Sequence, residues 1–329
     1  MIKSLFKLLL LLLLAFVGWM AWFATTPLEL PQTPYEFTLK HGSSLRSVSR
    51  QLTSAGVLAE PWSFTVLVRL HGKASEVKAG NYLLDNNPTP MQLLRMITSG
   101  DVSMSEIAFI EGWTFRRMRQ VLDRNEALQH DSQSLSDQEI MEKIGAEERV
   151  PEGLFFPDTY YFSGGMSDLA ILKRSYQEMK VRLNDEWEDR TPLLPYQSPY
   201  EALIMASIVE KETGRASERP QIAGVFVNRL RLNMKLQTDP TVIYGMGESY
   251  DGNIRKQDLL SDTPYNTYTR YGLPPTPIAM PGRAAIHAAL HPASTRDLYF
   301  VGKGDGSHKF SATLDEHNQA VVRYQLNRK

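Results

Sequence analysis

The sequence is organised around the stretch Tyr200-Glu-Ala-Leu-Ile-Met-Ala-Ser-Ile-Val-Glu-Lys-Glu-Thr-Gly214. It contains no proline, few turn-forming residues and a terminal glycine, which together predict a helix that ends near Gly214. At about 100° per residue, its apolar side chains fall on one stripe, formed by Ile204, Met205, Ile208 and Val209. This stripe predicts the face that the helix turns towards an apolar environment.

Glu212 continues the stripe, because it follows Met205 by seven residues and Ile204 by eight, whereas Glu210 projects to nearly the opposite side. A carboxyl group in apolar surroundings loses hydration, so its pKa rises and it can act as a general acid near neutral pH. The alternative is that Glu212 lies in the last helical turn and simply reaches water. Periodicity alone leaves both interpretations open.

Length and composition are those of a globular protein with about two domains. Of the 329 residues, 42% are hydrophobic and 22% are charged, which allows a sizeable core. The net charge of −1 argues against general nucleic-acid binding, because that mode needs a clear excess of basic residues. The chain has no cysteine, which excludes disulfides, thiolate chemistry and cysteine-ligated metals.

The run from Leu8 to Ala24 has no charged residue, and with Leu5 and Phe6 it predicts a single membrane anchor in residues 5–24, close to the length of about 20 residues that spans a bilayer. Lys3 and Lys7 precede the uncharged run, which predicts that the N-terminal end is cytoplasmic. A cleaved signal peptide is the alternative, but the bulky residues 19–24 make a poor small-x-small cleavage site and favour a retained anchor. Everything after residue 27 is then expected outside the cytoplasmic membrane.

Four segments are predicted: a stub and anchor at 1–27, a proline-rich linker at 28–34, a small domain at 35–110 and a larger domain at 111–329. The small domain shows the order β-α-α-β-α-β. Its predicted elements are a strand at Tyr35–Leu39, helices at Leu45–Ser54 and from Pro61 to about His71, a strand at Ala79–Leu84, a helix at Pro90–Thr98 and a strand at Val102–Ile110. Ser44 and Thr89 are the expected helix caps, and Gly42 to Ser44 and Ser99-Gly100 the expected turns.

Part of this small domain, from Phe37 to Leu58, resembles a LysM-like module, a type that binds amino-sugar polymers. Other small α+β domains share the same pattern. The larger domain is expected to be mixed α+β, with helices at Thr114–Asn125, Leu169–Trp187 and Glu218–Leu232, the last capped by Ser217. Its aromatic run at 152–160 is expected to serve largely in core packing.

Three loops downstream of the helix at 200–214 combine prolines with amide, hydroxyl and phenol groups, at 236–245, 264–268 and 272–278. Saccharide sites use such groups to bind hydroxyls and sugar faces. The alternative is that these polar groups satisfy the backbone of long ordered loops, with Asp239 capping a turn. The candidate sugar-contacting residues are Gln237, Asp239, Thr241, Tyr244, Tyr265, Asn266 and Tyr268.

Other familiar sites are absent from the sequence. His287 and His291 are four apart on a predicted helix, but no glutamate follows the first and no third ligand lies at a recognisable spacing, so no metal site is predicted. The glycines at 302, 304 and 306 lack the context of a dinucleotide site and predict a hairpin turn. His308 and His317 could act as bases, but no adjacent nucleophile can be inferred.

The motifs taken together resemble the YceG-like endolytic murein transglycosylases. The resemblance runs in order over essentially the whole chain. It is carried by Glu152-Gly-Leu-Phe-Phe-Pro-Asp-Thr-Tyr160, Ala206-Ser-Ile-Val-Glu-Lys-Glu-Thr213, Val227-Asn-Arg-Leu230, Leu236-Gln-Thr-Asp-Pro-Thr-Val-Ile-Tyr-Gly-Met-Gly247, Tyr265-Asn-Thr-Tyr268, Gly272-Leu-Pro-Pro275, Leu298-Tyr-Phe-Val301 and His308-x-Phe310.

The resemblance implies a single-pass inner-membrane protein with a LysM-like subdomain and a periplasmic catalytic domain. It implies cleavage of MurNAc–GlcNAc bonds within nascent peptidoglycan strands near the wall synthases, without a cofactor, leaving 1,6-anhydro-MurNAc ends and limiting strand elongation. The family's catalytic glutamate maps onto Glu212. Two alternatives stay open, namely an inert wall-binding scaffold for synthases and a true hydrolase that pairs Glu212 with Asp239.

Overall fold

The computed structural model describes residues 2–39, 44–78, 80–84, 86–99, 105–162 and 165–326. Several predicted features lie outside these residues: most of the turn at 42–44, Ala79, Gly100 and the beginning of the strand at 102–110. The described chain is mixed α+β, as predicted, and divides into two compact units. Unit 1 comprises Met1–Glu106, Ala127–Gln129 and Tyr161–Met166, and unit 2 comprises Ile107–Glu126, His130–Tyr160 and Ser167–Lys329.

Unit 1 begins with a long apolar helix and continues as alternating strands and helices. Its elements are α1 (Ile2–Thr25), β1 (Tyr35–Leu39), α2 (Leu45–Ser54), α3 (Pro61–Leu70), β2 (Gly80–Leu84) and α4 (Pro90–Ser99). Strands β1 and β2 pair antiparallel, with Phe37 opposite Tyr82 and their rings stacked at 5.4 Å. The helices bury Val48, Leu52 and Phe64 among others, which builds a core of aliphatic and aromatic side chains.

Helix α1 is long and apolar enough to cross a membrane over Phe6–Thr25. Most of this segment is exposed, including the leucines at 8–14. Near its C-terminal end Met20 is buried in the unit 1 core, and the Trp19 ring stacks on Trp62 at 4.8 Å. The apolar surface of the first half of α1 is therefore available to a lipid environment.

The chain continues through four short strands, β3 (Ser105–Ala108), β4 (Leu128–Gln129), β5 (Thr159–Phe162) and β6 (Met166–Ser167). Strand β4 belongs to unit 1, and β3, β5 and β6 each include residues assigned to both units. Unit 2 is otherwise mainly helical, and its remaining elements are α5 (Phe115–Asp123), α6 (Asp137–Ile144), α7 (Asp168–Glu188), α8 (Pro199–Glu212), α9 (Arg219–Arg231), α10 (Asp239–Met246), α11 (Lys256–Leu260), α12 (Arg283–Leu290), β7 (Tyr299–Gly302), β8 (His308–Ser311) and α13 (Leu314–Val321). The described strands pair two by two, β3 with β5, β4 with β6 and β7 with β8.

Helix α8 forms the centre of unit 2. Every residue from Ala202 to Val209 is buried, because α7, α9, α10 and α12 pack around the helix. A helix that is apolar on all sides must be covered on all sides. The predicted stripe of four residues is thus buried, but the opposite face is buried as well, and the stripe does not mark a single core-facing side.

The aromatic run at 152–160 packs as predicted. Phe155 is fully buried, and Tyr160 donates a hydrogen bond from its hydroxyl to the Phe156 carbonyl at 2.7 Å. Gly153 has a φ of +80°, and a Cβ there would lie 2.3 Å from Pro277 Cβ. A glycine is therefore required where this turn meets the proline-rich loop.

The predicted cap for α9 is wrong. Ser217 lies in a short 3₁₀ turn at Ala216–Glu218, and α9 begins at Arg219 with no side-chain cap hydrogen bond. The proline at 220 supplies the fixed φ that starts the helix instead. The predicted hairpin at the 302–306 glycines is confirmed, since β7 and β8 pair antiparallel with Gly302 opposite His308.

Replacing Gly224 by alanine is expected to destabilise the protein, although alanine is the better helix former. A Cβ at this position of α9 would lie 2.7 Å from the Ala293 carbonyl oxygen and 2.9 Å from Thr295 Cγ2. Overpacking should outweigh the propensity gain and lower the free energy of unfolding by about 1–3 kcal/mol. Urea unfolding measures this change. The matched control is Gly214→Ala, where no heavy atom lies within 4 Å of the new Cβ; equal stability of the two variants contradicts the prediction.

Candidate active site

A cavity of about 540 Å³ opens in unit 2 beside the last residue of α8. We call it the Glu212 cleft. One side is formed by the loop at 236–239 and by Tyr268, and the other by strand β7 and helix α13. The lining includes Glu212, Arg229, Gln237, Asp239, Tyr268, Tyr299, Phe300, His308 and His317. Two carboxyls, a guanidinium and two imidazoles therefore share one concave surface with aromatic rings, as expected of a site that binds a polar ligand.

Glu212 is the last residue of α8, and Thr238 Oγ1 donates a hydrogen bond to its Oε1. Burial and, to a smaller extent, the negative charge of Asp239 raise the pKa of the Glu212 carboxyl to about 7. The Thr238 hydrogen bond and the neighbouring His308 and Arg229 oppose this rise, and the value of about 7 is the net result. The C-terminal end of a helix carries partial negative charge, which also disfavours the carboxylate. Glu212 therefore exchanges a proton near neutral pH.

Arg229 joins the two sides of the cleft. Its Nε donates to the Leu298 carbonyl at 2.7 Å, and its Nη1 donates to the Leu236 carbonyl at 2.9 Å. The guanidinium also lies 5.1 Å from the centroid of the Tyr299 ring. A planar donor with fixed geometry thus holds both the loop before Gln237 and the start of β7 in place.

The loop that carries Gln237 and Thr238 is fixed by residues far along the chain. Gln237 has a φ of +50°, a conformation that costs free energy for a residue other than glycine. Its backbone N–H donates to the Thr267 carbonyl at 3.1 Å, and the Thr238 N–H donates to Thr267 Oγ1 at 3.1 Å. Thr241 Oγ1 donates to the Thr238 carbonyl at 2.8 Å. These bonds hold the Thr238 hydroxyl against Glu212.

Aromatic rings form the wall opposite Glu212. The Tyr299 and His317 rings stack at 5.2 Å, and the Phe300 and His308 rings meet edge to face at 5.4 Å. His308 Nδ1 lies 2.7 Å from Glu218 Oε2, which fixes that imidazole. Burial lowers the pKa of His317, which favours the neutral form of this ring. Flat apolar faces beside hydrogen-bonding groups suit a sugar ring.

Three of the seven sugar-contacting candidates lie in the Glu212 cleft, namely Gln237, Asp239 and Tyr268. The Gln237 side chain is exposed, although its Oε1 accepts from Arg229 Nη1 at 3.3 Å. Tyr268 donates from its hydroxyl to Asp239 Oδ1 at 2.5 Å. Asp239 is the first residue of α10 and is exposed, so its carboxylate faces solvent at the mouth of the cleft.

Two of the candidates are buried and bonded within the protein. Asn266 Nδ2 donates to the Ser261 carbonyl at 2.7 Å, and its Oδ1 accepts from the Tyr268 N–H at 2.8 Å. Thr241 is fully buried and shares a 2.9 Å hydrogen bond with Thr267. These side chains shape the loops around the cleft and do not line it.

The remaining two candidates, Tyr244 and Tyr265, line a second cavity of about 500 Å³. Their rings meet edge to face at 4.8 Å, and Tyr265 Oη lies 2.9 Å from Thr276 Oγ1. The same cavity contains Glu152, whose Oε2 accepts from the Tyr244 hydroxyl at 3.1 Å and whose Oε1 accepts from the Phe115 N–H at 3.1 Å. Burial raises the pKa of Glu152 to about 7 as well.

Glu210 is excluded from both cavities. Its side chain is only 6% exposed and forms an ion pair with Arg219 at 3.0 Å, while its other oxygen accepts from the Gly282 N–H at 3.0 Å. The two acidic residues of the Glu-Lys-Glu-Thr motif thus have different surroundings. Glu210 is charge-paired inside the fold, and Glu212 borders the cleft.

Sequence reasoning did not single out Thr238, Arg229 or Tyr299 as site residues. Arg229 and Tyr299 do lie within the runs Val227–Leu230 and Leu298–Val301, which had already been noted as family motifs. The neighbouring Asn228 also holds a loop in place, since its Nδ2 donates to the Thr295 carbonyl at 2.9 Å. The polar pair Asn228 and Arg229, next to buried apolar residues of α9, was therefore the sequence signal for the side chains that position the loops around the cleft.

A protein-family model and several known proteins match this chain over most of its length. The model of the YceG-like family matches residues 37–323. The endolytic murein transglycosylase of Bacillus subtilis strain 168 is 30% identical over 315 residues, which cover 89% of this chain and 85% of that protein. The endolytic murein transglycosylase of Streptococcus pneumoniae strain D39 is 25% identical over 330 residues, and the match spans 87% of this chain but 57% of that protein.

A solved structure is also similar. The 2.6 Å crystal structure of a yceG-like protein from Listeria monocytogenes superposes with a TM-score of 0.56 at 29% sequence identity. The superposition covers 87% of this chain and 98% of the Listeria chain. The similarity therefore extends over both units and not over a single motif.

Replacing Glu212 by glutamine is expected to stabilise the protein at high pH and to have little effect at low pH. The folded-state pKa of about 7 lies above the ordinary value of 4.5. The contribution of protonated Glu212 to the stability of the native chain is therefore fully present below pH 4.5 and is lost as the pH rises through about 7. The neutral amide of Glu212→Gln does not titrate, so its free energy of unfolding should exceed that of the native chain by about 3 kcal/mol at pH 8.

Urea unfolding of both proteins at pH 4 and pH 8 measures this difference, since other titrating groups cancel in it. Glu248→Gln is the control, because the Glu248 side chain is 85% exposed. If the free energies of unfolding of Glu212→Gln and the native chain differ by the same amount at pH 4 and pH 8, Glu212 titrates normally and the prediction is contradicted.

Proposed function

We infer the function from one premise: this chain belongs to the YceG-like family. Its relatives are named endolytic murein transglycosylases, and the chain is accordingly a lytic transglycosylase, a lyase that acts on peptidoglycan. We propose that it cleaves the MurNAc–GlcNAc bond within nascent glycan strands, leaves 1,6-anhydro-MurNAc ends and so limits strand elongation. The observation that carries this proposal is a single carboxyl, Glu212, with a pKa of about 7 at the end of a concave cleft.

In the first step, protonated Glu212 donates its proton to the oxygen that bridges MurNAc and GlcNAc. The bond between this oxygen and MurNAc C1 breaks, and the GlcNAc-containing fragment leaves as an alcohol. Positive charge then develops over C1 and the ring oxygen of MurNAc. A general acid works best when its pKa lies near the working pH, which the surroundings of Glu212 provide.

In the second step, the Glu212 carboxylate takes the proton from the C6 hydroxyl of the same MurNAc as O6 attacks C1. The new O6–C1 bond closes the 1,6-anhydro ring, and Glu212 is protonated again. No water is consumed. The nucleophile is part of the substrate, so proximity replaces the second catalytic carboxyl that a hydrolase needs.

Asp239 supports this chemistry through its charge. Its carboxylate raises the pKa of Glu212, and the Tyr268 hydroxyl orients it at 2.5 Å. A fixed negative charge at the mouth of the cleft would also stabilise the developing oxocarbenium ion. We assign Asp239 this electrostatic role, and the hydrolytic alternative in which it activates water is an outcome of the experiment below.

The sugar-binding role is narrowed to Gln237, Asp239 and Tyr268, which share the cleft with Glu212. The Tyr299 ring, stacked with His317 on the opposite wall, offers a flat face to the sugar. The candidates Tyr265 and Asn266 contact Thr276 and backbone carbonyls, and we do not include them in the sugar site of the cleft.

The setting of the enzyme is also a proposal. The exposed apolar surface of α1 supports a single anchor in the inner membrane, with the N-terminus in the cytoplasm and the chain after residue 27 in the periplasm. The order β1–α2–α3–β2, with β1 and β2 paired antiparallel, supports a LysM-like module in unit 1 that holds glycan strands. Such a position places the cleft near peptidoglycan synthases, the proposed partners.

Digestion of purified glycan strands by the native chain is expected to produce 1,6-anhydro ends, identified by mass spectrometry. Glu212→Gln should reduce the rate at least about 10³-fold with the fold intact, because the acid and base are lost together. Glu248→Gln, an exposed carboxylate outside the cleft, is the matched control and should keep full activity. Reducing ends would indicate the hydrolase, and intact strands after treatment with the native chain would indicate the scaffold.

The pH dependence of kcat/KM tests the two groups that tune Glu212. The native rate should fall as the pH rises through about 7, because the acid form is consumed. Thr238→Val removes a hydrogen bond to the carboxylate and should move this fall to higher pH. Asp239→Asn removes a repelling charge and should move it to lower pH. Thr238→Ser retains the hydroxyl and should match the native profile; shifts in the same direction for the valine and asparagine variants contradict the assignment.

A further inference from the structure

Three side chains with metal-binding atoms meet on unit 2 outside the Glu212 cleft. Glu186 lies near the end of α7, His287 lies in the last turn of α12, and His291 directly follows that helix. Glu186 Oε2 lies 2.7 Å from His287 Nδ1 and 3.7 Å from His291 Nε2. All three ligand atoms lie within 4.8 Å of one another. The sequence showed the two histidines but not the third ligand, which comes from 101 residues away.

We propose that Glu186, His287 and His291 bind one divalent transition-metal ion of the Zn²⁺, Ni²⁺ or Co²⁺ type. Two imidazoles and one carboxylate are a ligand set that such ions favour. Metal–ligand bonds of about 2.0–2.2 Å in a tetrahedron place the ligand atoms about 3.2–3.6 Å apart. The separations of 2.7 Å and 3.7 Å from Glu186 Oε2 to the two imidazole nitrogens lie just below and just above this range. Small side-chain rotations therefore suffice to bring the three atoms to metal-binding distances.

The end of α12 holds the two histidines side by side. The His291 N–H donates to the His287 carbonyl at 2.7 Å, and the two rings stack with centroids 4.3 Å apart. Both rings therefore present a nitrogen to the same carboxylate oxygen. The other oxygen, Glu186 Oε1, lies 3.5 Å from Arg283 Nε, which orients the carboxylate from outside.

An ion pair between Glu186 and His287 would explain the short contact between these two residues. It would leave the buried Nε2 atom of His291 without a partner among the described residues. The His291 Nε2 atom is buried and has no hydrogen-bond partner in the described part of the chain. A buried polar atom without a partner is costly, and a bound cation would satisfy it. His287 is 55% exposed, which provides an entry path and leaves room for water at the fourth position.

A metal at this position would connect α7 to α12. Because α12 packs against α8, the ion would brace the helix that ends in Glu212 without contacting the cleft. With ligands from α7, from α12 and from the residue after α12, its main effect would be on stability, since a ligand that binds only the folded state adds to the free energy of unfolding. The inference is independent of the proposed reaction.

The test uses tag-free, full-length protein in detergent after removal of metals by a chelator. Isothermal titration with Zn²⁺ and Ni²⁺ should show one saturable site per chain, and Co²⁺ should give the absorption of a nitrogen- and oxygen-ligated ion. Saturation should raise Tm by several degrees. His287→Ala and His291→Ala should each weaken binding at least about tenfold and remove the rise in Tm.

Matched controls separate this site from other groups. Glu188→Gln, an exposed acid on the same helix, and His71→Ala in unit 1 should leave binding unchanged. Asp123, His130 and Asp168 form a second group of close ligand atoms in unit 2, so His130→Ala is also required. The proposal is overturned if no saturable binding occurs, or if binding survives in His287→Ala and His291→Ala; loss of binding in His130→Ala would then assign the ion to the second group.

Discussion

Complete burial of α8 is the constraint on which unit 2 depends. From Ala202 to Val209 no face of the helix reaches water, so α7, α9, α10 and α12 must cover it. Charge can enter such a helix only at its end, where each carboxyl needs a partner or a proton. Glu210 has the Arg219 guanidinium, and Glu212 borders a cleft where the neutral form is favoured. The unusual pKa of Glu212 therefore follows from the position of the helix and not from a dedicated charge partner.

The cleft itself depends on one buried cation. Arg229 donates to the carbonyls of Leu298, Lys235 and Leu236, so a single side chain positions both walls. Its neighbour Asn228 extends the same function to the backbone at 295–297. Because each carbonyl would be left without its donor if the guanidinium were lost, the loop that presents Thr238 and the strand that presents Tyr299 are fixed together. Arg229 and Asn228 of helix α9 thus fix the backbone segments that surround Glu212.

The sequence predicted local features well and long-range ones poorly. Helix α2 begins and ends at the predicted residues, because Ser44 caps it through a hydrogen bond to the Ser47 N–H and caps are encoded within four residues. The stripe predicted apolar surroundings for Glu212, but α8 is buried on all faces from Ala202 to Val209, so periodicity does not distinguish one side of the helix from the other. Asn266 carried the right chemistry for a sugar site, but its amide is used by backbone carbonyls that only the folded loop brings near. The same limit concealed Glu186 beside His287.

Two carboxyls of unit 2, Glu152 and Glu212, have a pKa of about 7 for the same reason, and burial alone does not choose between them. The hydrogen bonds of the two carboxyls distinguish them. Both oxygens of Glu152 accept from fixed donors, the Phe115 N–H and the Tyr244 hydroxyl, so a proton transfer there would break a structural bond. Glu212 accepts from Thr238 at Oε1, and the described residues provide no partner for Oε2. An acid–base group must give and take a proton without rebuilding its surroundings, and of the two carboxyls Glu212 meets that requirement.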